Sequence, residues 1–342
     1  MKLFKWFFEP VTDIIEDLRS TPQIVRIQEE EEFQYDLHPH PHKIKIFRPE
    51  NFHQYLGQQH AKEILIAYIQ AAKERNTTLG HILICGEAGM GKTTLAKIVA
   101  HESQKKFKEL ITSTIQKPRD LLLAIHEVDG GVLFLDEIHS LIRPMAESIY
   151  TIMEDFRYSG IEIKPFTLIG ATTELGEIIS DRRPFVDRFK IILELEDYTL
   201  DELSGMSKQY RFVVFPKDHV SPELHNIIAK NCRNNPRTSI RLTEALVYIK
   251  NISIVLKNFN IIKDGYTKKD LAALKYIALN EKGVGLQGLV AYLGTAPQTY
   301  MFNIEPYLLK NKLLIRSPRG RKLTNLGLAK IKELEEGEIS HA

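Results

Sequence analysis

The stretch HILICGEAGMGKTTLAKIVA, residues 81–100, leaves very few folds open. A short apolar strand signal ends in glycine, GEAGMGKT fills every fixed position of the phosphate-binding-loop pattern, and a helix signal follows at once. Glycines let backbone N–H groups turn inward around phosphates, and the helix N-terminus adds partial positive charge. Gly86, Glu87, Ala88, Gly89, Met90, Gly91, Lys92, Thr93 and Thr94 are therefore assigned to ATP binding. Lys92 is expected to reach the β- and γ-phosphates, and Thr93 to hold Mg²⁺.

Two more apolar strand signals follow, GVLFLDE (131–137) and FTLIGATT (166–173). Between them run helix formers, and AKEILIAYIQAAKER (61–75) precedes them all. Continuous apolar strands alternating with helices predict an α/β domain with a parallel sheet covered on both faces. Asp136 and Glu137 close the second strand. Such a pair is either a strand-end cap or a catalytic pair; beside a phosphate loop the catalytic reading is preferred. Asp136 then orients Mg²⁺ through water and Glu137 polarises the attacking water. Thr172 and Thr173 close the third strand, where either can sense the γ-phosphate, and Thr172 is preferred. In DRRPFVDRF, Arg188 is the candidate for an arginine supplied in trans to a neighbouring subunit, while Arg182 and Arg183 face solvent, DNA or a neighbour. Arg237 follows a proline at a helix start and can fold back onto the γ-phosphate.

Four segments emerge. Residues 1–45 form an extension, 46–195 the ATPase sheet domain, 196–265 a helical lid, and 266–342 a winged helix of three helices, a two-stranded β-ribbon and a closing helix. The extension carries aromatic residues near its start and the segment HPHPH at 38–42, which is read as a solvated linker rather than a metal site. Its aromatic start is either a helix packed on the body or a docking peptide for an unknown protein partner.

Net charge is only +2, so contact with a polyanion needs local clustering. Residues 310–322 supply it, with Lys310, Lys312, Arg316, Arg319, Arg321 and Lys322 and no acidic residue among them. Of these, Arg316, Arg319, Arg321 and Lys322 are assigned to sequence-independent DNA contact. Cys85 and Cys232 lack metal-type spacing and fit a reducing compartment. No apolar run reaches the roughly 18 residues of a membrane span, so a cytoplasmic protein is expected.

The set GEAGMGKTTLAKIVA, VLFLDEIHSL, MEDF, FTLIGATT, DRF, NPR and EPYLLKNKLLIRSPRGR resembles the RuvB family of AAA+ Holliday-junction branch-migration motors. The likeness runs from about Arg48 to about Leu326. It implies an ATP hydrolase working as a ring, with a hexamer expected, on double-stranded or branched DNA. It also places Arg48, Tyr55, Leu56 and Gly57 near the adenine, Thr172 or Thr173 at sensor 1, Arg188 as the arginine finger, and Arg237 at sensor 2. Arg319 and Arg321 fall on the wing that grips duplex DNA. Two departures stand out. RYSGIEIKP (157–165) is too short for the hairpin by which the family docks on RuvA, and Val186 replaces an arginine two residues before the finger. A DNA translocase is therefore the first reading. The alternative is an ATP-dependent oligomeric switch that assembles on DNA and recruits a partner in a mobile-element or defence system.

Overall fold

The computed structural model describes residues 47–280 and 282–340, in two compact units that divide between Glu196 and Asp197. The aromatic extension and the HPHPH segment lie outside the described residues.

In the first unit, α1 (Gln59–Glu74) precedes β1 (Ile82–Cys85), α2 (Lys92–Glu102), β2 (Phe107–Ile111), α3 (Pro118–Val128), β3 (Val132–Asp136) and α4 (Arg143–Asp155). Then come β4 (Arg157–Tyr158), β5 (Ile161–Glu162), β6 (Thr167–Thr172), α5 (Leu175–Val186) and β7 (Ile191–Glu194). Five strands make one parallel sheet in the order β2-β3-β6-β1-β7. Successive side chains of a strand point to opposite faces. Leu83, Leu133 and Leu135 join one apolar layer with α3 and α4, while Ile82, Ile84 and Phe134 join the other with α1 and α2. Burial on both faces is why these strands read as unbroken apolar runs. Both cysteines are free and buried, and burial pushes the Cys85 thiol up to about 12 and that of Cys232 up to about 11.

The second unit opens with a lid of α6 (Leu200–Val214), α7 (Pro222–Asn231), α8 (Pro236–Ile249) and α9 (Ile252–Asn258). Helix α6 starts at a capping box, in which Thr199 accepts the Glu202 N–H and the Glu202 carboxylate accepts the Thr199 N–H. The end of the range expected to be helical turns out otherwise, as β8 (Ile261–Lys263) and β9 (Tyr266–Thr267) form a hairpin. Its turn is Asp264-Gly265 with φ of 49° and 80°, the left-handed pair that Asp-Gly favours, so the signal was present in the sequence.

The winged helix continues with α10 (Lys268–Ala278), α11 (Leu286–Leu293), α12 (Pro297–Thr299), a π-turn over Tyr300–Ile304 and α13 (Glu305–Lys310). The ribbon β10 (Leu314–Ser317) and β11 (Gly320–Leu323) and the helix α14 (Asn325–Ser340) complete it. Buried Leu274, Leu289, Tyr300, Leu308 and Leu334 form its core. No helix among the described residues is long and apolar enough to cross a membrane.

Inside the lid, Thr243 donates to the Ser239 carbonyl, Ser207 bonds Thr243, and the ring Nδ1 of buried His225 bonds Ser207 at 2.6 Å. Burial, with Arg211, Lys208 and His219 nearby, lowers His225 to about 4. A histidine depressed in the folded state takes up its proton in the unfolded state first, so its contribution to stability is present above about 6.5 and is lost as pH falls from there toward 4. Chemical denaturation across this window should show a loss on the order of 3 kcal/mol from this group, at roughly 1.4 kcal/mol per pKa unit. His225→Gln should flatten that acid limb; an unchanged pH profile would contradict the assignment.

Candidate active site and nucleic-acid ribbon

The phosphate loop leaves β1 at Gly86, whose N–H donates to the Thr172 carbonyl at the end of β6. Gly89 and Gly91 carry φ of 85° and 97°, conformations that side chains resist. A Cβ at Gly91 would also lie 2.9 Å from the Tyr55 hydroxyl, so Tyr55 packs directly on the loop. Helix α2 begins at Lys92 with no side-chain cap and no acidic residue in its first turn. The cap residue, Gly91, has no side chain to bond the first N–H groups, which suits an anion. Lys92 is buried, and its Nζ donates to the carbonyls of Gly86 at 2.6 Å and Glu87 at 3.0 Å. Thr93 and Thr94 are half-buried behind it.

Register brings the other groups to the same edge. Cys85 lies opposite Thr172, and Leu135 opposite Gly170, so Asp136 and Thr172 leave the sheet beside the loop. Half-buried Asp136 accepts the Glu137 N–H, and its carbonyl accepts the Thr112 hydroxyl. Glu137 sits in the left-handed region at φ 53° and is exposed, so a kinked backbone throws its carboxylate clear of the strand. The two threonines differ. Thr172 is buried, its Oγ accepts the Glu174 N–H at 2.9 Å, and it faces His139 Nδ1 at 3.2 Å. Thr173 is exposed at the strand end.

Arg188 is engaged within its own subunit. It bonds Glu154 at 2.8 Å and the Pro184 carbonyl, and it stacks over Tyr150 at 5.2 Å. Gln58, left-handed at φ 52°, exchanges two bonds with the Glu196 backbone at 2.6 and 2.9 Å and so ties the entry segment to the end of the sheet domain. Leu56 and Gly57 beside it are half-buried, and Arg48 is exposed. In the second unit, Arg237 is exposed on the first turn of α8, which Asn235 caps. Among the described residues no group of three or more His, Cys, Asp or Glu could hold a metal ion. Thr93 and Asp136, one hydroxyl and one carboxylate, would suit Mg²⁺.

Two of the arginines assigned to DNA contact share one carboxylate in the ribbon. Arg316 and Arg321 stand directly opposite each other in the ladder, where two like charges repel. Between them lies Glu305, fully buried, whose two carboxylate oxygens accept from both guanidinium groups at 2.7–3.1 Å. Burial pushes the Glu305 carboxyl up, but the bonds from Arg321 and Arg316 outweigh it and hold the carboxyl below its usual range. Arg321, with 15% of its side chain exposed, is a strut of the ribbon and not a free phosphate contact. Lys310 is also engaged, by Asp197. Lys312, Arg319 and Lys322 have no ion-pair partner among the described residues, and Arg319 is exposed next to Gly320. Gly320 has φ 112°, and a Cβ there would lie 2.2 Å from the Val284 carbonyl, where the ribbon bridges to the segment before α11.

Residues 47–195 match the family model described as the Holliday junction DNA helicase RuvB P-loop domain, and residues 263–332 match the RuvB C-terminal winged helix domain. The Holliday junction branch migration complex subunit RuvB of Phytoplasma mali is 37% identical over 310 residues, covering 83% of this chain and 92% of that protein. The chain belongs to the RuvB family. The RuvB of Thermotoga petrophila is 36% identical over 86% of this chain and 95% of its own length. The solved RuvB branch migration motor of Thermotoga maritima superposes with a TM-score of 0.72 at 37% identity, over 83% of this chain and 98% of that one. Membership makes the first unit an AAA+ nucleotide-binding ATPase.

The segment at 157–165, read from the resemblance as too short for a docking hairpin, does form a small one. Strands β4 and β5 still pair, two residues each, around a Ser159-Gly160 turn, with Arg157 bonded to Glu162 at 2.7 Å. Thr112, His139, Gln58 and Glu305 were missed by sequence reasoning. Only Glu305 carried a signal, since a lone carboxylate precedes the basic run by a few residues.

Glu305→Gln should leave Arg316 and Arg321 facing each other without a counter-charge. Removing one partner of a buried pair costs about 3–5 kcal/mol. Thermal melts should therefore show a destabilised winged helix, and duplex affinity should fall although Glu305 itself repels phosphate. Tighter DNA binding by this variant would mean that the arginines are released phosphate ligands and not struts.

Proposed function

We propose that this chain is the ATP-driven motor subunit of a branch-migration machine acting on double-stranded or branched DNA. The observation that carries the reading is one chain joining an assembled phosphate loop and strand-end carboxylates to a winged helix whose ribbon tip displays Arg319. Glu137 polarises the water that attacks the γ-phosphorus in line, and Lys92 balances the charge that gathers on the phosphate oxygens. Thr93 and Asp136 would hold Mg²⁺, which would supply positive charge to offset that of the phosphates. Tyr55, Leu56, Gly57 and Arg48 form the base side, and Arg237 senses the γ-phosphate.

Arg188 acts in trans in this reading, in a ring for which six subunits are expected. It has to leave Glu154 to do so, and ring assembly supplies the competing anion. Of the sensor candidates, Thr173 fits best, because its exposed hydroxyl stands at the strand end. Thr172 is buried, and its Oγ accepts the Glu174 N–H. The preference is thereby reversed from that drawn on sequence. Membership of the RuvB family supports the motor over the DNA-assembled switch. The shortened hairpin supports a docking partner, or a mode of docking, different from that of the family.

ATP turnover with and without long duplex DNA tests this directly. Duplex should stimulate turnover, and Glu137→Gln should reduce it by about a hundredfold or more. Arg319→Ala should keep basal turnover while lowering the salt dependence of binding by about one phosphate contact. Slow hydrolysis that ignores DNA would replace the motor with the switch.

The threonines separate by a second comparison. Thr173→Val should cut turnover with little change in melting temperature. Thr172→Val should lower stability, by about 1 kcal/mol for the lost bond to a half-buried N–H. The reverse pattern would restore Thr172 as the sensor.

A further inference from the structure

Arg233 is the most heavily engaged side chain that the nucleotide and DNA sites leave unused. It sits in the loop between α7 and α8, with φ 57°, four positions before Arg237. Its Nε donates to the Gly265 carbonyl at 2.7 Å, at the turn of the β8–β9 hairpin. One terminal nitrogen donates to the Asn303 carbonyl at 3.0 Å, in the π-turn that leads into α13. The other bonds the carboxylate of fully buried Asp270, and the guanidinium lies over the Tyr307 ring at 4.6 Å. A neighbouring side chain reinforces the joint, as Asn231 accepts the Gly265 N–H at 3.1 Å. Gly265 is itself packed on Arg233, where a Cβ would come 2.9 Å from Cγ.

Every one of these contacts reaches from the lid loop to the winged helix. Three separate pieces of the winged helix meet on one guanidinium: the hairpin turn, the start of α10 through Asp270, and the π-turn with α13. Asp270 is also the capping-box residue of α10, accepting the Thr267 N–H and hydroxyl, both at 2.6 Å. The chain of contacts goes on. Two residues beyond Asn303, Glu305 holds Arg316 and Arg321, and with them the ribbon.

We propose that Arg233, locked by Asp270, is the coupling joint of the motor: a positioning residue that makes the lid and the winged helix move as one piece, so that a lid shift driven by nucleotide displaces DNA. Physical reasons favour this over simple docking. An Arg–carboxylate pair with the carboxylate buried has a fixed geometry, and the planar guanidinium allows three directions of attachment at once. Packed contacts with discrete arrangements transmit small displacements that a flexible linker would absorb. The loop that bears Arg233 runs through Asn235 and Pro236 straight into the helix turn that carries Arg237. A change felt at Arg237 therefore moves Arg233 with no intervening linker.

The inference rests on the motor reading above, and the experiment separates the two. Full-length protein is assayed on a four-way junction with homologous arms for three quantities: ATP turnover without DNA, junction affinity, and base pairs migrated per ATP hydrolysed. Arg233→Met, which keeps the aliphatic length, should leave the first two within about threefold. Base pairs per ATP should fall by about fivefold or more, the range of an ordinary coupling free energy. Arg233→Lys keeps the charge but not the three-way geometry, and should fall between wild type and Arg233→Met. Tyr307→Leu removes the stacking face while leaving the Asp270 pair, and stands in if Arg233→Met fails to fold. Unchanged base pairs per ATP in a folded variant overturns the coupling role. A wild-type protein that neither responds to DNA nor migrates the junction overturns the motor reading instead.

Discussion

A parallel sheet has one carboxyl edge, and every strand of the first unit that bears a phosphate-facing residue ends on it. This is what lets residues far apart in sequence act on one nucleotide. Gly86, Asp136 and Thr172 reach the edge because β1, β6 and β3 are adjacent and their registers place Cys85 opposite Thr172 and Leu135 opposite Gly170. A slip of one residue would turn each strand's side chains to the opposite face and move them between the two apolar layers. The continuous burial of both faces therefore guards the geometry of the site. Where the chain leaves this edge, Gly89, Gly91 and the non-glycine Glu137 take left-handed backbone conformations.

In the second unit, two fully buried carboxylates play the corresponding organising role. Glu305 joins the two ribbon strands to α13, and Asp270 joins the lid loop to α10. A buried charge of this kind is a poor source of net stability, because desolvation offsets most of the attraction. Its several bonds to two arginines, or to one arginine and a capping threonine, fix the local geometry. The winged helix is thus positioned at both ends by arginines that a charge count would assign to solvent or DNA.

The division between what the sequence disclosed and what it hid follows from range. The phosphate loop and the strand-end carboxylates depend on residues close together in the chain, where period and spacing are visible, and the capping boxes at Thr199 and Thr267 were equally local but were passed over. So was the Asp264-Gly265 turn, whose signal lay inside a helical stretch. Arg188–Glu154 and Arg233–Asp270 link positions that only the folded chain brings together. In sequence, DRRPFVDRF offers three equivalent arginines, and nothing local marks Glu154 as the partner of one. The carboxylate that Arg316 and Arg321 share was hidden for the same reason, because Glu305 lies just outside the basic run at 310–322. Proximity in the sequence made the cations look collective, while the fold divides them into struts and free groups.

That division suits a moving contact better than a fully displayed basic ribbon. A motor has to release DNA in every cycle, and each phosphate contact adds to both affinity and salt dependence. With Arg321 largely buried against Glu305, and Lys310 bonded to Asp197, the proposed phosphate-facing set is Arg319 with exposed Arg316 and with Lys312 and Lys322 nearby. A single wing then holds duplex weakly and without reading bases. In the proposed ring, tight overall binding comes from several wings sharing one DNA, since each further contact is made at high effective concentration. Rigidity is what makes the weak contact useful. A tip that is fixed on Gly320 and Val284, and tied through Glu305 to the helix that Arg233 holds, displaces DNA by as much as the lid moves. A loose tip with more cations would hold harder and carry the load less far.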